Sequence, residues 1–290
     1  MPVKPLRLGT STFDAGQFAV MAIINRTPDS FYDKGSTFEF DRAWRRVEQV
    51  VAEGADIIDI GGVKAGVGEP VSEEEEIDRT GGLVTAIRER YPSVVVSVDT
   101  YRAITADALC RAGAQLINDT WAGADPEVAA VAAQHGAGLV CTHTGGQAPR
   151  TLPHRVNYHD VVDDVLAHTV ELAERAVELG VPPESILIDP THDFGKNTYH
   201  SLELTRRLDE LVATGWPVLV SLSRKDFVGE SLDVPVDERL AGTLAASAIS
   251  AWHGARVFRA HDVAATRHAV DMVGSILGNR PPVAAYRGLA

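Results

Sequence analysis

Seven polar residues of this 290-residue chain stand at or just after the ends of short apolar runs, where ligand-binding groups are commonly found. They are Asn25, Asp99, Asn118, Asp189, Lys225, Arg259 and His261. Asp99, Asn118 and Asp189 supply carboxylate and amide groups, which suit a flat heterocycle with several N–H donors. Burying so many polar groups around one opening would cost free energy unless a ligand or water satisfied them. The pattern therefore predicts a binding site for a small polar molecule.

Three of the seven residues suit an anion. Arg259 and His261 provide N–H donors, and Asn25 adds an amide whose oxygen can bind a metal. This combination favours a phosphate or pyrophosphate group. Lys225 could reach either a ring carbonyl or a phosphate.

Other polar residues near these positions have equally simple structural explanations. Three of them can cap the helix that follows: Asp59, Thr100 and Asp119. His192 and Asp193 lie beside Lys196, where a structural hydrogen-bond network and a catalytic group are both compatible with the sequence. Gly66 and Gly68 lack the third glycine of a dinucleotide-binding loop, so that reading carries little weight.

The elements that must position these residues alternate along the chain. Apolar, β-rich runs predict eight strands: Phe18–Ile24, Asp56–Ile60, Val94–Val98, Gln115–Ile117, Gly138–Cys141, Ser185–Ile188, Pro217–Val220 and Arg256–Phe258. Helical periodicity fills the intervals, as in the apolar stripe over residues 43–51. Ser72 and Glu75 fit a capping box, so the acidic run there predicts a helix start and not a metal site. A long helix is predicted to begin near His159.

This alternation predicts an α/β fold. Units of strand, helix and strand repeating at roughly 35 residues favour parallel strands with right-handed crossovers. About eight such units predict a (β/α)8 TIM barrel that forms a single domain over residues 1–290. An open doubly wound sheet is the alternative. In a barrel the binding site lies at the carboxyl ends of the strands, where the seven polar residues fall.

Charge and composition exclude several partners. A formal net charge of −13 opposes binding to nucleic acid or to an anionic membrane, because its field repels phosphate, although a local basic pocket remains compatible. Cys110 and Cys141 lie in apolar stretches without metal-ligand spacing and are predicted to be reduced core thiols. The chain shows no signal-peptide block and no run of about 18 apolar residues. We therefore expect a soluble, cytoplasmic protein.

Seven short motifs, in this order along the chain, resemble the dihydropteroate synthase family. They are Met21–Phe31, Asp59–Gly62, Ser97–Thr100, Ile117–Asp119, Asp189–Pro190 with Phe194–Lys196, Ser223–Lys225 and Arg259–Asp262. Each motif is short, but the set covers nearly the whole chain in the family's order. The chain is therefore identified as a member of that family.

The resemblance implies a transferase of folate biosynthesis. In that family 6-hydroxymethyl-dihydropterin pyrophosphate loses pyrophosphate while the amine of p-aminobenzoate attacks the exposed carbon. Carried over to this chain, the pterin is held by Asp99, Asn118, Asp189 and Lys225. The pyrophosphate is held by Asn25, Arg259 and His261, with Asn25 helping to bind Mg²⁺. The implied catalytic residues are Asp99, Lys225 and Arg259. The resemblance also implies a homodimer packed through barrel helices.

The departures from the family pattern are concentrated around the second substrate. Where the family usually has Glu-Ser-Thr-Arg-Pro after two glycines, this chain has Val63–Val67, and Asp226 replaces a serine. In the family the missing arginine and serine surround the p-aminobenzoate carboxylate. Asp226 would repel that carboxylate where the family attracts it, a change of about 1–3 kcal/mol or more per charged contact. Lys64 could substitute for the missing cation, but it lacks the planar fork of arginine.

Further departures lie in two other motifs. Thr191 and Asp193 take places in a loop that is usually glycine-rich, and Arg26 stands where a small apolar residue is usual. The favoured hypothesis is a divergent paralogue that keeps the pterin-pyrophosphate half of the site and has weak or no condensation activity. A fully active synthase is the alternative. A third possibility is a pterin enzyme that uses another acceptor, or a methyl-tetrahydrofolate binder. The methyl-tetrahydrofolate binder is disfavoured because the pair Arg259 and His261 suits a pyrophosphate.

Overall fold

In the computed structural model, which describes residues 5–28, 35–151 and 157–288, a ring of parallel strands surrounds the site. The strands are β1 (Leu6–Leu8), β2 (Ser11–Phe13), β3 (Ala19–Asn25), β4 (Ile57–Gly61), β5 (Val95–Asp99), β6 (Leu116–Asp119), β7 (Gly138–Thr142), β8 (Ile186–Asp189), β9 (Leu219–Val220) and β10 (Val257–Ala260). Strands β3 to β8 pair in sequence order, and β10 pairs with both β3 and β9. A parallel bridge from Ile188 to Val218 joins β8 to β9. The predicted barrel is confirmed, and the open doubly wound sheet is excluded.

Helices cover the outside of the barrel. They are α1 (Phe40–Ala52), α2 (Glu73–Arg90), α3 (Ala103–Arg111), α4 (Val128–His135), α5 (Val161–Glu178), α6 (Thr198–Arg206), α7 (Leu208–Ala213), α8 (Asp226–Leu232), α9 (Leu240–Trp252) and α10 (Val263–Ile276). Helix α5 begins close to the predicted position, with the Asp160 carboxylate accepting bonds from the backbone N–H groups of Val162 and Asp163. The predicted stripe of α1 is buried at Ala43, Val47 and Val50.

The start of α2 forms one half of the predicted capping box. Ser72 Oγ accepts a hydrogen bond from the backbone N–H of Glu75 at 3.1 Å. The carboxylate of Glu75 instead accepts a hydrogen bond from Arg79, one turn further along the helix. The acidic run is therefore a helix start, as predicted.

The amino end of the barrel is closed by the antiparallel hairpin of β1 and β2, which the sequence did not predict. Leu6 and Leu8 are fully buried, and they pack on a ring of inward apolar side chains from the barrel strands. That ring is Met21, Ile57, Val95, Leu116, Val140, Leu187, Leu219 and Val257. The lower half of the barrel is therefore a solid apolar core, and a site has room only at the opposite end.

The two cysteines are core thiols, as predicted, and glycines end several of the helices. Cys110 and Cys141 are buried and free. Six glycines between a helix and the next strand have positive φ, as the left-handed end of a helix requires: Gly54, Gly113, Gly136, Gly180, Gly215 and Gly254. No described helix combines the length and apolar character needed to cross a membrane.

Candidate functional site

The period of two along a strand explains why polar side chains meet above the apolar core. Ile57, Val95 and Val257 point into the barrel, so the residues two positions later point inward as well, one layer higher. Those residues are Asp59, Ser97 and Arg259. The same step places Asn118 above Leu116 and Asp189 above Leu187. The barrel interior thus changes from apolar to polar within one layer.

A cavity of about 490 Å³ opens above this polar layer. All seven residues that the sequence singled out line it: Asn25, Asp99, Asn118, Asp189, Lys225, Arg259 and His261. The structure therefore brings the predicted residues together at one opening, at the carboxyl ends of the strands. Their individual roles remain predictions.

Asp99 lies between two donors. Its Oδ2 accepts a hydrogen bond from Arg259 Nη2 at 2.7 Å, and its Oδ1 accepts one from Thr120 Oγ1 at 2.7 Å. Burial raises the pKa of Asp99 to about 6, although the Arg259 guanidinium opposes this shift; the carboxylate of Asp59 adds to it. Asp99 is therefore a carboxyl group that can change charge near neutral pH.

Arg259 spans two carboxylates from neighbouring strands. Its Nε donates to Asp59 Oδ2 at 2.6 Å while its Nη2 donates to Asp99. Two hydrogen bonds from one guanidinium to separate carboxylates fix its plane. The positive charge at the cavity floor is thus matched by two nearby carboxylates.

Lys225 and Asp189 define the opposite wall. Lys225 Nζ donates to the backbone carbonyl of His192 and lies 5.0 Å from the centroid of the Phe194 ring, within cation–π range. Burial lowers the pKa of Lys225, while the nearby carboxylates of Asp193 and Asp189 oppose that shift. Burial raises the pKa of Asp189, and Lys225 opposes it.

His261 is a neutral donor. Burial lowers its pKa to about 3, and the neighbouring Arg259 adds to that shift. Ser223 Oγ accepts the backbone N–H of His261 at 3.1 Å and lies 3.0 Å from the ring Nδ1. When the Ser223 hydroxyl donates its proton to Nδ1, the ring carries its own proton on Nε2. His261 can therefore donate a hydrogen bond to an anion without carrying a positive charge itself.

Two of the departures from the family pattern, Val63–Val67 and Asp226, line the cavity near its mouth. Val63, Ala65 and Val67 give one edge of the cavity an apolar lining, and Lys64 lies among them. Asp226 lines the cavity too, and its carboxylate accepts a hydrogen bond from Arg239 Nη1 at 2.8 Å. The repulsion expected from Asp226 is therefore partly offset by an ion pair within the chain.

The loop after β8 keeps a glycine-like backbone without the glycines. Thr191 and Asp193 both adopt left-handed conformations, with φ of 52° and 70°. Thr191 is held by its backbone N–H, which donates to Asp189 Oδ1 at 2.6 Å. Asp193 Oδ1 accepts a hydrogen bond from Ser201 Oγ at 3.0 Å. Local hydrogen bonds thus support the conformations that glycine would adopt freely.

Several charged residues near the site serve the framework. Lys196 Nζ donates to the backbone carbonyls of His143, Thr191 and Phe194. Of the two alternatives left open by the sequence, this side chain therefore fits the structural hydrogen-bond network. The Asp119 carboxylate accepts two backbone N–H groups of its own loop. Arg26 turns away from the cavity and donates to the backbone carbonyl of Arg79.

Two contributors were not assigned to the site at the sequence level. For Asp59 the sequence leaves a helix cap and a site residue equally open; in the structure it lies under the cavity and accepts hydrogen bonds from Arg259 and Asn118. Its position two residues after the inward Ile57 was the signal that could have found it. Trp121 also lines the cavity, with its ring centroid 5.4 Å from that of Phe194. The motif residues 29–31 lie outside the described residues.

Comparison with known proteins agrees with the motifs. The family described as pterin binding enzyme matches residues 21–261. The inactive dihydropteroate synthase 2 of Mycobacterium leprae is 57% identical over 275 residues, which cover 93% of this chain and 94% of that protein. The dihydropteroate synthase of Haemophilus influenzae is 39% identical over 248 residues, 85% of this chain and 90% of that protein. The crystal structure of the Yersinia pestis dihydropteroate synthase in a sulfonamide drug complex superimposes with a TM-score of 0.88 at 35% identity, covering 95% of this chain and 100% of that one.

Proposed function

The chain belongs to the family of pterin-binding enzymes, and on that premise we propose that it is a dihydropteroate-synthase-like protein with weak or no condensation activity. Its ligand in this proposal is 6-hydroxymethyl-dihydropterin pyrophosphate. The observation that carries the proposal is the contrast between the cavity's floor and its rim. The floor holds all the predicted pterin and pyrophosphate residues, whereas the rim is formed by Val63–Val67 and Asp226.

The floor suits a pterin ring. Asp99, Asn118 and Asp189 present acceptors to the N–H groups of a flat heterocycle, and Lys225 presents a donor to its carbonyl. Phe194 and Trp121 add an apolar wall against which a ring can pack. In this proposal the catalytic residues are Asp99, Lys225 and Arg259. Asp99 and Lys225 hold the ring, and the Asp99 carboxylate stabilises the positive character that develops on it, while Arg259 stabilises the departing pyrophosphate.

Arg259 and His261 suit the pyrophosphate. Arg259 supplies a fixed charge and His261 a neutral N–H donor, so both can bind phosphate oxygens. Most of the rate in such a reaction comes from positioning, since little covalent chemistry is asked of the protein.

Asn25 is compatible with Mg²⁺ as a minor ligand. Its amide oxygen is a hard donor on the cavity wall, and within residues 5–28, 35–151 and 157–288 no cluster of three His, Cys, Asp or Glu side chains could hold a metal alone. In this proposal Asn25 would help to hold the ion on the pyrophosphate. When bound, Mg²⁺ would neutralise charge on the leaving group.

The rim accounts for weak condensation. An apolar edge with a flexible Lys64 offers no planar fork for a carboxylate, and Asp226 adds a negative group beside it. p-Aminobenzoate would thus bind poorly beside a well-held pterin. A fully active synthase is the second candidate, favoured by the Arg239–Asp226 ion pair, which reduces the repulsion. An acceptor other than p-aminobenzoate is the remaining possibility.

We further propose that residues 1–290 act as one pterin-binding domain in the cytoplasm and form a homodimer through barrel helices. Support for the dimer comes from helices α9 and α10, which pack together and expose large apolar side chains. They are Ile249, Trp252, Met272 and Ile276. Supporting a cytoplasmic location, the two thiols are free, as a reducing compartment permits.

One experiment separates the candidates. The purified protein is incubated with the pterin pyrophosphate, Mg²⁺ and labelled p-aminobenzoate, and pyrophosphate release and labelled product are followed separately. We expect micromolar or tighter pterin binding by calorimetry, with little labelled product. Robust product would establish the active synthase, and pyrophosphate release without labelled product would indicate another acceptor.

A matched variant tests the cause. Val63–Val67 are replaced by Glu-Ser-Thr-Arg-Pro together with Asp226→Ser, which rebuilds only the rim. Product formation should rise at least about tenfold, since one or more charged contacts are restored. An unchanged rate with intact pterin binding would show that the rim is not what limits condensation.

A further inference from the structure

We infer that Asp59 is a positioning residue for this site, which holds both Arg259 and Asn118 in their binding orientations from beneath the cavity. The inference deepens the proposed function and rests on pterin pyrophosphate being the ligand. Asp59 is not one of the described residues that line the cavity, so it would act only through Arg259 and Asn118.

Asp59 is fully buried and receives three hydrogen bonds. Its Oδ1 accepts from Ser97 Oγ at 2.6 Å. Its Oδ2 accepts from Asn118 Nδ2 at 3.1 Å and from Arg259 Nε at 2.6 Å. One carboxylate oxygen therefore links the two site residues, which come from strands on different sides of β4 in the ring.

The bond to Asn118 determines which end of its amide meets a ligand. A carboxylate accepts hydrogen bonds only, so the NH₂ group of Asn118 must face Asp59. A flipped amide would place its oxygen against the carboxylate oxygen, which is repulsive. Asn118 therefore keeps its oxygen available to an N–H group of the ligand ring, and Asp59 is the residue that enforces this choice.

The bond to Arg259 fixes the guanidinium from a second side. Asp99 holds Nη2 from β5, while Asp59 holds Nε from β4. Without Asp59 the guanidinium could rotate about its bonds and turn wholly towards Asp99. Asp59 thus keeps Arg259 directed between the ring site and the pyrophosphate site.

Packing alone gives no reason for a carboxylate at this position. A buried ion is costly to remove from water, and an apolar residue would fill the space more cheaply. The layer directly below is apolar at Ile57 and Val95, so such a filling would be consistent with the neighbouring core. The cost is offset only by the three donors, and two of these belong to the site.

The test is a double-mutant cycle on ligand affinity. Binding of 6-hydroxymethyl-dihydropterin pyrophosphate with Mg²⁺ is measured by calorimetry for Asp59→Asn, Asn118→Ala and the double variant, and for the equivalent set with Arg259→Lys. Asp59→Asn should weaken binding at least about tenfold in the native background and less than about threefold in either mutant background. A merely structural role would give additive losses, which would overturn the inference.

Two measurements keep the outcomes distinct. Ser97→Ala is the matched control, because it removes the third donor to Asp59 and touches neither Asn118 nor Arg259; its affinity should stay within about twofold of native. In unmutated, ¹⁵N-labelled protein the Arg259 Nε–H proton should be protected from solvent exchange, and this remains decisive if Asp59→Asn does not fold. Rapid exchange would overturn the inference. Absence of pterin binding by the native protein would instead refute the proposed function, and the inference with it.

Discussion

Asp99 shows how burial and charge compete within the site. It is held by the Arg259 guanidinium and the Thr120 hydroxyl, both of which favour the charged form. Removal from water is the larger effect, so the pKa of Asp99 rises to about 6. The group is therefore charged at neutral pH but close to its titration range.

This position predicts a pH dependence of pterin binding. An ionised Asp99 accepts N–H donors of the ring, and a protonated one can no longer accept them on both oxygens. The ligand for this test is 6-hydroxymethyl-dihydropterin, which has no pyrophosphate group whose titration would overlap with that of Asp99. Its affinity should be constant above pH 7. Below pH 6 it should fall by up to about tenfold per pH unit, as expected for one proton. Calorimetry between pH 5 and pH 8 measures this.

Asp99→Asn is the control for that titration. The variant should bind more weakly at pH 7.5 and lose most of the decline below pH 6. A decline of the same slope in Asp99→Asn would assign the titration to another group.

Residue types predicted the site better than they predicted charge states. The seven cavity residues could be found because each ends or follows an apolar run, and the barrel brings those ends together. The neutrality of His261 could not, because it depends on burial and on the neighbouring charge of Arg259, which only the fold brings about. The sequence could not assign Asp59 to the site for a related reason, because an acidic residue at a strand end is also a common helix cap.

At the scale of elements, short apolar runs that alternate with helical stretches were the reliable signal. All eight barrel strands coincide with predicted runs, although β9 is reduced to Leu219–Val220. The hairpin of β1 and β2 was missed because no helix follows either strand, so it lies outside the alternation of strand and helix that predicted the barrel. Its contribution appears only when Leu6 and Leu8 are seen to fill the lower end of the barrel.

The hairpin should therefore contribute to stability and not to binding. Leu8 is fully buried on the inner apolar ring, so Leu8→Ala should lower the free energy of unfolding by about 2–5 kcal/mol. Pterin affinity should stay unchanged, because the site lies at the other end of the strands. Urea denaturation measures the first effect and calorimetry the second.

Arg7→Ala is the matched variant on the same strand. Its side chain is exposed and makes a surface ion pair with Glu184 at 3.8 Å, so stability should change by no more than about 0.5 kcal/mol. Equal losses for the two variants would show that the hairpin packs less tightly than its burial indicates.

For the whole molecule, net charge and exposed apolar surface act against each other. Each chain carries a formal charge of −13, which opposes self-association at low salt. The adjacent helices α9 and α10 nevertheless expose Trp252 and Met272 at 58% and 59% of their surface. Apolar side chains exposed together on neighbouring helices are typical of an interface with another protein.

The proposed homodimer should therefore depend on this face and on ionic strength. Light scattering after size exclusion should give twice the chain mass of 31.1 kDa for the native protein. The dimer should be tighter at high salt, because screening reduces repulsion between like charges. Trp252→Glu combined with Met272→Lys should yield monomers, while Ile104→Glu, which alters an equally exposed residue on α3, should leave the dimer intact. A native monomer at all salt concentrations, or loss of the dimer in Ile104→Glu alone, would exclude this face as the contact. The four apolar side chains of α9 and α10 would then remain exposed to solvent in the free protein.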